Sequence, residues 1–468
     1  MPTEHEPRHI SRRTFLWGAA ASAGAVAIGG ALAGIPGAIA GKPGGTATRN
    51  PLYIPRTVTP SSYTLTAAPA TVSLGGGKLS SVWAYNGLLP GPTLLASRGD
   101  TATITLSNRL SQPTITHWHG MIVDDLNDGA PRLAIPSLAT YNYDFTINQR
   151  AAMNWYHPHP HMLTGEQVAM GLAGAFIVRD SEETALGLPS GVYEVPLVVR
   201  DATFDKVGNM AYTPRNGGFE GKVPLVNGTL NPRLDVDTAR YRFRVLAGSN
   251  ARIFGLALSN GAPFALIGND GGLLENSLSV NQIDLSPGER VDVIVDFRDL
   301  AVGSSVMLRD LRSGWDLLEF RVTRRVNDTG TITTALSTIT RLSDPLATRN
   351  FSFDGMSRIN GKTYEVDRID FTVPFGQTEL WRFSTAGNAP HPVHVHGASF
   401  QVLSRTGGRG RLFPWEAGWK DTVLLEDGET VEILIRFDAA PNQGSLYVIH
   451  CHKLEHEDAG MMANFQVV

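Results

Sequence analysis

The sequence predicts an all-β protein of three tandem antiparallel sandwiches. Three observations carry that prediction: short segments of alternating apolar residues, punctuation by 49 glycines and 28 prolines, and a pattern that recurs three times along the chain. Asn86-Gly87, Asn227-Gly228 and Asn360-Gly361 each precede an alternating strand, at residues 101–106, 240–245 and 378–383. Each strand then enters a polar turn that holds Asn108, Asn250 or Asn388. The segments after that turn differ: His117-Trp118-His119-Gly120 in the first copy, Ile253-Phe254-Gly255-Leu256 in the second, and residues 391–397, with His391, His394 and His396, in the third.

The second half of the repeat behaves in the same way. Tyr143-Asp144-Phe145, Val293-Ile294-Val295-Asp296-Phe297 and Ile433-Leu434-Ile435-Arg436-Phe437 lead to further strands at residues 154–161, 306–311 and 446–452. The outer copies carry histidines where the middle copy has Met307-Leu308-Arg309-Asp310, so the middle copy is expected to bind no metal. The 468 residues accommodate about three domains of ~150 residues. Expected domains are 51–180, 191–326 and 351–468, with connectors at 181–190 and, Ser/Thr-rich, at 327–350, and a flexible stretch at 41–50.

Ahead of these lies Ser11-Arg12-Arg13-Thr14-Phe15-Leu16 and an Ala/Gly-rich apolar stretch to Ala40, the pattern of a twin-arginine export signal with Ala38-Ile39-Ala40 as a cleavage site. Residues 1–40 are therefore expected to engage the twin-arginine (Tat) machinery, the alternative being an uncleaved anchor. The destination is periplasmic, cell-envelope or extracellular, with no stable membrane insertion after cleavage. A single cysteine excludes an intramolecular disulfide despite that destination. Formal charge is −4 with no basic block, which points away from nucleic acid.

The histidines carry the chemistry. Of 13, all but His5 and His9 fall into four clusters: His117/His119, His157/His159/His161, His391/His394/His396 and His450/His452/His456. One His-x-His pair is commonly a surface cross-strand pair, but four pairs can aim their imidazoles at a common centre. In His450-Cys451-His452, side chains alternate along a strand, so the two imidazoles face one way and the thiol the other. Thiolate, two imidazoles and a weak axial thioether make a blue-copper site; Cys451, His456 and Met461 supply three of those groups. The two outer domains must then meet. Met462 reads as core and His161 as a non-ligand.

These four clusters resemble the copper motifs of the three-domain multicopper oxidases, the laccase-like group that includes bacterial cuprous oxidases, spore-coat laccases and bilirubin oxidases; the resemblance spans residues 50–468. It implies three cupredoxin-like Greek-key domains and four copper ions. Type 1 copper would sit in the third domain on His391, Cys451 and His456 with Met461 axial. Type 2 copper would take His117 and His394, and the type 3 pair His119, His157, His159, His396, His450 and His452, between the first and third domains. Asp128, in Asn127-Asp128-Gly129-Ala130-Pro131, and Glu457 match carboxylates that the family uses to relay protons, although Asp-Gly is also a common turn signal.

The implied activity is a laccase-type one: one-electron oxidation of phenolic or aromatic amine donors coupled to four-electron reduction of dioxygen to water. The chain has 10 methionines and no methionine-rich run, which tilts the donor away from Cu(I) or Mn(II), the metallo-oxidase alternative. A metal-free exported scaffold of the same fold is the remaining alternative. Trp415 and Trp419 read as core, or as the wall of a pocket.

Overall fold

The computed structural model describes residues 49–468 except Asn216, Ala386, Asn388 and Ala389. The expected export signal with Arg12 and Arg13, residues 41–48 and the turn residue Asn388 therefore lie outside the described residues. Among those described, no helix is long and apolar enough to cross a membrane.

The strands form six sheets that pair into three sandwiches. A four-stranded and a five-stranded sheet enclose Trp118, Tyr143 and Phe176. A six-stranded and a seven-stranded sheet enclose Phe243, Phe264 and Phe320. Two five-stranded sheets enclose Trp381, Phe400 and Phe437, together with Cys451 and Met461. Alternating burial along strands such as Leu79–Tyr85 and Thr378–Ser384 is the physical basis of the sequence pattern: one face meets the opposing sheet and the other does not.

The threefold repeat is atomic in detail. Asn86, Asn227 and Asn360 adopt left-handed φ angles of 53°, 48° and 52°, a conformation that asparagine tolerates. Each side-chain oxygen accepts from a strand N–H, that of Thr66 (2.6 Å), Val198 (2.7 Å) or Ser352 (2.7 Å). Each side-chain amide donates to a carbonyl two residues earlier, that of Thr64 (2.9 Å), Pro196 (2.9 Å) or Asn350 (3.0 Å). One turn thus locks two strands in the same way three times.

The segments expected to connect or flex are more ordered than composition implies. Asn50 is not loose: Asn50–Pro51 adds a parallel strand beside Pro232–Asp237 of the second sandwich, and the Asn50 amide donates to Leu230 O at 2.6 Å. Residues 181–190 begin with the helix Ser181–Ala185, capped by Asp180, whose carboxylate accepts from Glu183 N at 2.8 Å. Within 327–350, Asp328 holds the Arg240 guanidinium by two bonds of 2.9 Å, and residues from Ala347 onward already belong to the strand Ala347–Asp354. Polar composition had hidden these contacts because ion pairs and backbone bonds, rather than apolar burial, hold the segments down.

Two short helices lie beside the histidines, Thr164–Ala169 and Leu454–Asp458. They are too short for a helical period to show in sequence. Asp458 accepts from Thr164 N at 2.9 Å and Gly165 N at 2.8 Å, so the third sandwich caps a helix of the first. That contact helps bring the outer sandwiches face to face.

Candidate metal centre

The strands that carry the histidines are paired: Thr116–His119 lies antiparallel to Ala152–Pro158 in the first sandwich, and His391–Val395 lies antiparallel to Leu446–Cys451 in the third. Register places His117 opposite His157 and His394 opposite His450. His117, His119, His157, His159, His394, His396, His450 and His452, two from each cluster, are all almost fully buried.

On the inner face of the third sandwich, Cys451 Sγ lies 3.5 Å from His391 Nδ1 and 3.7 Å from His456 Nδ1, and the two Nδ1 atoms are 3.1 Å apart. Met461 is fully buried in the same core; its carbonyl accepts from Cys451 N at 3.1 Å and its N–H donates to His456 O at 2.9 Å. Burial pushes the Cys451 thiol up to about 12, so its thiolate form requires a cation beside it. Burial, reinforced by the Lys453 charge, lowers His391 to about 4 and His456 to about 2. Both rings are therefore neutral at neutral pH, the ligating form.

On the other face, the side chains of His450 and His452 enter a cage between the first and third sandwiches. His450 Nε2 is 3.1 Å from His396 Nε2 and 3.3 Å from His159 Nε2. His117 Nε2 and His394 Nε2 are 3.4 Å apart. The His452 ring centroid lies 4.9 Å from that of His119 and 5.2 Å from that of His157. His119 Nδ1, His157 Nε2 and both ring nitrogens of His452 are buried with no hydrogen-bond partner among the described residues.

The outward nitrogens explain why the inner ones are free. His117 Nδ1 donates to Asp128 O (2.7 Å), His394 Nδ1 to Asp421 O (2.8 Å) and His396 Nδ1 to Asp128 Oδ2 (2.6 Å). Glu457 faces two rings at once, with Oε1 3.3 Å from His159 Nδ1 and Oε2 3.2 Å from His450 Nδ1. His119 is reversed: its Nε2 approaches Asp421 Oδ1 and Thr422 Oγ1, each at 3.0 Å, which leaves Nδ1 facing the cage. Such outer partners fix tautomer and ring orientation at metal sites.

Electrostatics test whether this cage fits metal. Burial, and then the neighbouring rings, push His117, His119, His157, His394, His396 and His452 well below the usual imidazole range, and burial lowers His159 to about 4. The neutral rings of His117 and His394, whose Nε2 lone pairs face each other at 3.4 Å, repel one another unless a cation lies between them. The donor set fits copper: imidazole throughout the cage, and thiolate with thioether at the single-cysteine site.

Burial raises Asp128 well above the usual carboxylate range, with Asp125 adding to the effect. Burial would also raise Glu457, but the rings of His159 and His450 outweigh it and hold the carboxyl at about 2. His161 stays outside the cage, half-buried beside Tyr364 with ring centroids 5.2 Å apart. Met462 packs with Ala130, Tyr364 and Val448. Trp415 belongs to the core of the second sandwich, while Trp419 borders a cavity of about 280 Å³ between the three sandwiches. That cavity reaches Gly120 and Gly397, the residues after His119 and His396.

Sequence reading missed Asp421 and Thr422, which orient His119 and His394 from Thr422–Leu425 and the residue before it. No local signal marks them, since their partners are distant in sequence.

Fold and site together define a cupredoxin-type metalloprotein in which one strand serves a thiolate–imidazole site on one face and an imidazole cage on the other. The multicopper oxidase description matches residues 66–183 and again 334–468. A multicopper oxidase of Staphylococcus haemolyticus is 35% identical over 415 residues, covering 87% of this chain and 88% of that protein. The laccase of Bacillus subtilis is 32% identical over 460 residues (81% and 89%), and the cell division protein FtsP of Dickeya dadantii is 34% identical over 421 residues (85% and 88%). The crystal structure of a multicopper oxidase from the hyperthermophile Aquifex aeolicus superimposes with a TM-score of 0.84 at 35% identity, covering 90% of this chain and 99% of that one. The chain belongs to the multicopper oxidases, copper oxidoreductases that use oxygen and an electron donor.

Proposed function

We propose that the protein is an exported laccase-type oxidase that takes single electrons from phenolic or aromatic amine donors and reduces dioxygen to water. The observation that supports this reading is the His450-Cys451-His452 segment, which joins the thiolate site to the cage through its own backbone. His391, Cys451, His456 and Met461 would hold a type 1 copper. His117 and His394 would hold a type 2 copper, and His119, His157 and His452, with His159, His396 and His450, a type 3 pair. Bound copper supplies the one-electron steps at the first site and the multi-electron reduction at the second.

The remaining work falls to the chain. The apolar core that buries Cys451 keeps its sulfur from solvent and would tune the potential of a copper held there. Asp128 and Glu457 each lie against two of the proposed ligand rings from outside, which supports a role for them in handing protons to the cage. The cavity at Gly120 and Gly397 offers small molecules a way toward it. Residues 1–40 would direct export by the twin-arginine route; replacing Arg12 and Arg13 by lysine should leave the protein inside the cell, and unchanged export would exclude that route.

Oxygen uptake by the copper-loaded protein against phenols, aromatic diamines, Cu(I), Mn(II) and bilirubin tests the reading. Uptake driven by phenols or diamines supports it, and uptake driven by Cu(I) or Mn(II) alone would reassign the donor. Absence of uptake with every donor, or of bound copper, would overturn the oxidase in favour of a scaffold.

A further inference from the structure

The middle sandwich, which contributes none of the proposed ligands, nevertheless reaches the cage. Arg290, from its strand Arg290–Asp296, is fully buried and uses its whole guanidinium fork. Nη1 and Nη2 donate to the two carboxylate oxygens of Asp421, each at 2.6 Å, in a bidentate pair with the third sandwich. Nε donates to Met153 O of the first sandwich at 3.0 Å, while Nη1 and Nη2 also reach Gly288 O (3.2 Å) and Asp270 O (3.1 Å) of their own. All the N–H donors that arginine possesses are thus engaged, across all three sandwiches.

We propose that Arg290 is a positioning residue for the cage: it locks Asp421, and Asp421 sets the orientation of His119. The inference rests on the assignment of His119 to the type 3 pair. Asp421 could be mistaken for a metal ligand, since its carboxylate lies near both His119 and His394. Its oxygens are already occupied, however, both by Arg290, and Oδ1 also by Thr422 Oγ1 at 2.9 Å and His119 Nε2 at 3.0 Å. With Nε2 bound to Asp421, His119 presents Nδ1 to the cage, the reverse of His117, His394 and His396. Loss of the lock frees the ring to turn.

Two glycines keep the space that this arrangement needs. A Cβ on Gly120 would come within 2.6 Å of Arg290 Nη2 and 2.9 Å of Asp421 Oδ2. A Cβ on Gly288 of the middle sandwich would lie 3.0 Å from His119 Cε1 and 3.1 Å from His452 Cδ2. Behind the pair, the buried Lys420 ammonium binds Asp270 Oδ2 (2.8 Å) and Glu289 Oε1 (3.1 Å), anchoring the residue next to Asp421 on the middle sandwich.

The test compares wild type, Arg290→Lys and Arg290→Met for copper per chain, the near-ultraviolet band and magnetic coupling of a type 3 pair, and the blue band of Cys451. The expected result for Arg290→Met is an unchanged blue band, a lost or weakened type 3 signature, and copper affinity at the cage lowered by about 10- to 100-fold. Arg290→Lys, which keeps the charge but not the fork, should fall between; it carries the test alone if the methionine variant does not fold. A merely structural Arg290 would lower the thermal midpoint while leaving copper content and the type 3 signature intact, and that outcome overturns the proposal. A wild-type protein that binds copper and shows the blue band but no type 3 signature would instead overturn the ligand assignment, and the positioning role with it.

Discussion

Asp128 and His396 meet across the two outer sandwiches, Oδ2 to Nδ1, at 2.6 Å in a fully buried site. The same residue accepts from His117 Nδ1 through its backbone carbonyl at 2.7 Å, so one aspartate sets two rings proposed to bind different coppers. Its other carboxylate oxygen has no hydrogen-bond partner among the described residues and is free to take up a proton.

Asp128→Asn separates these duties. The amide oxygen can still accept from His396, so copper content should hold, whereas proton transfer is lost. Oxygen consumption should fall by about 100-fold or more and its pH profile should change shape. Equal rates and profiles in wild type and variant would remove Asp128 from the proton path.

Cys451→Ser isolates the two faces of the strand. Serine supplies no thiolate, so the blue absorption should vanish and oxygen uptake with any donor should fall to background. His450 and His452 remain aimed at the cage, so about three of the four proposed coppers should stay bound. Metal analysis beside the visible spectrum checks this; loss of all copper would show that the sites are not independent.

The copper-free protein should be acid-sensitive, with a sign set by burial. The imidazoles of His117, His394 and His396 are held well below their ordinary value of 6.5, so as pH falls through that value the unfolded chain takes up protons that the folded chain cannot. Stability is therefore present above about pH 6.5 and declines below it, before ordinary carboxylates titrate. Thermal midpoints of the apo protein between pH 7 and pH 5 should fall, and a flat curve would contradict neutral imidazoles in the cage.

Asn227→Ala probes the repeated turn where it is most buried. Alanine tolerates φ of 48° poorly and leaves the N–H of Val198 and the carbonyl of Pro196 without their side-chain partners. The expected loss is about 2–4 kcal/mol, with spectra of bound copper unchanged. Chemical denaturation midpoints at constant slope give the measurement.

Much of the centre was legible because its histidines and cysteine come in short, regular strings. His117-Trp118-His119 and His450-Cys451-His452 need only strand alternation to show which side chains share a face, and the repeated Asn-Gly turns identify the scaffold. Asp421 and Arg290 were not legible. Asp421 lies 302 residues from His119 and 131 from Arg290, and neither spacing nor periodicity carries a contact of that length. The ordered connectors escaped for a related reason, since Asp328 finds Arg240 88 residues away.

The sequence by itself therefore determined the chemical class: which side chains could bind metal, which sandwich lacked them, and which cysteine joined the two sites. Only the tertiary structure decided how those side chains are held. Alternation is a property of a single strand and is written locally, whereas the tautomer and aim of an imidazole depend on the hydrogen-bond acceptor behind it. In this protein the carboxylates of Asp128 and Asp421 accept across sandwich boundaries, Glu457 faces His159 across another, and Arg290 of the middle sandwich pairs with Asp421.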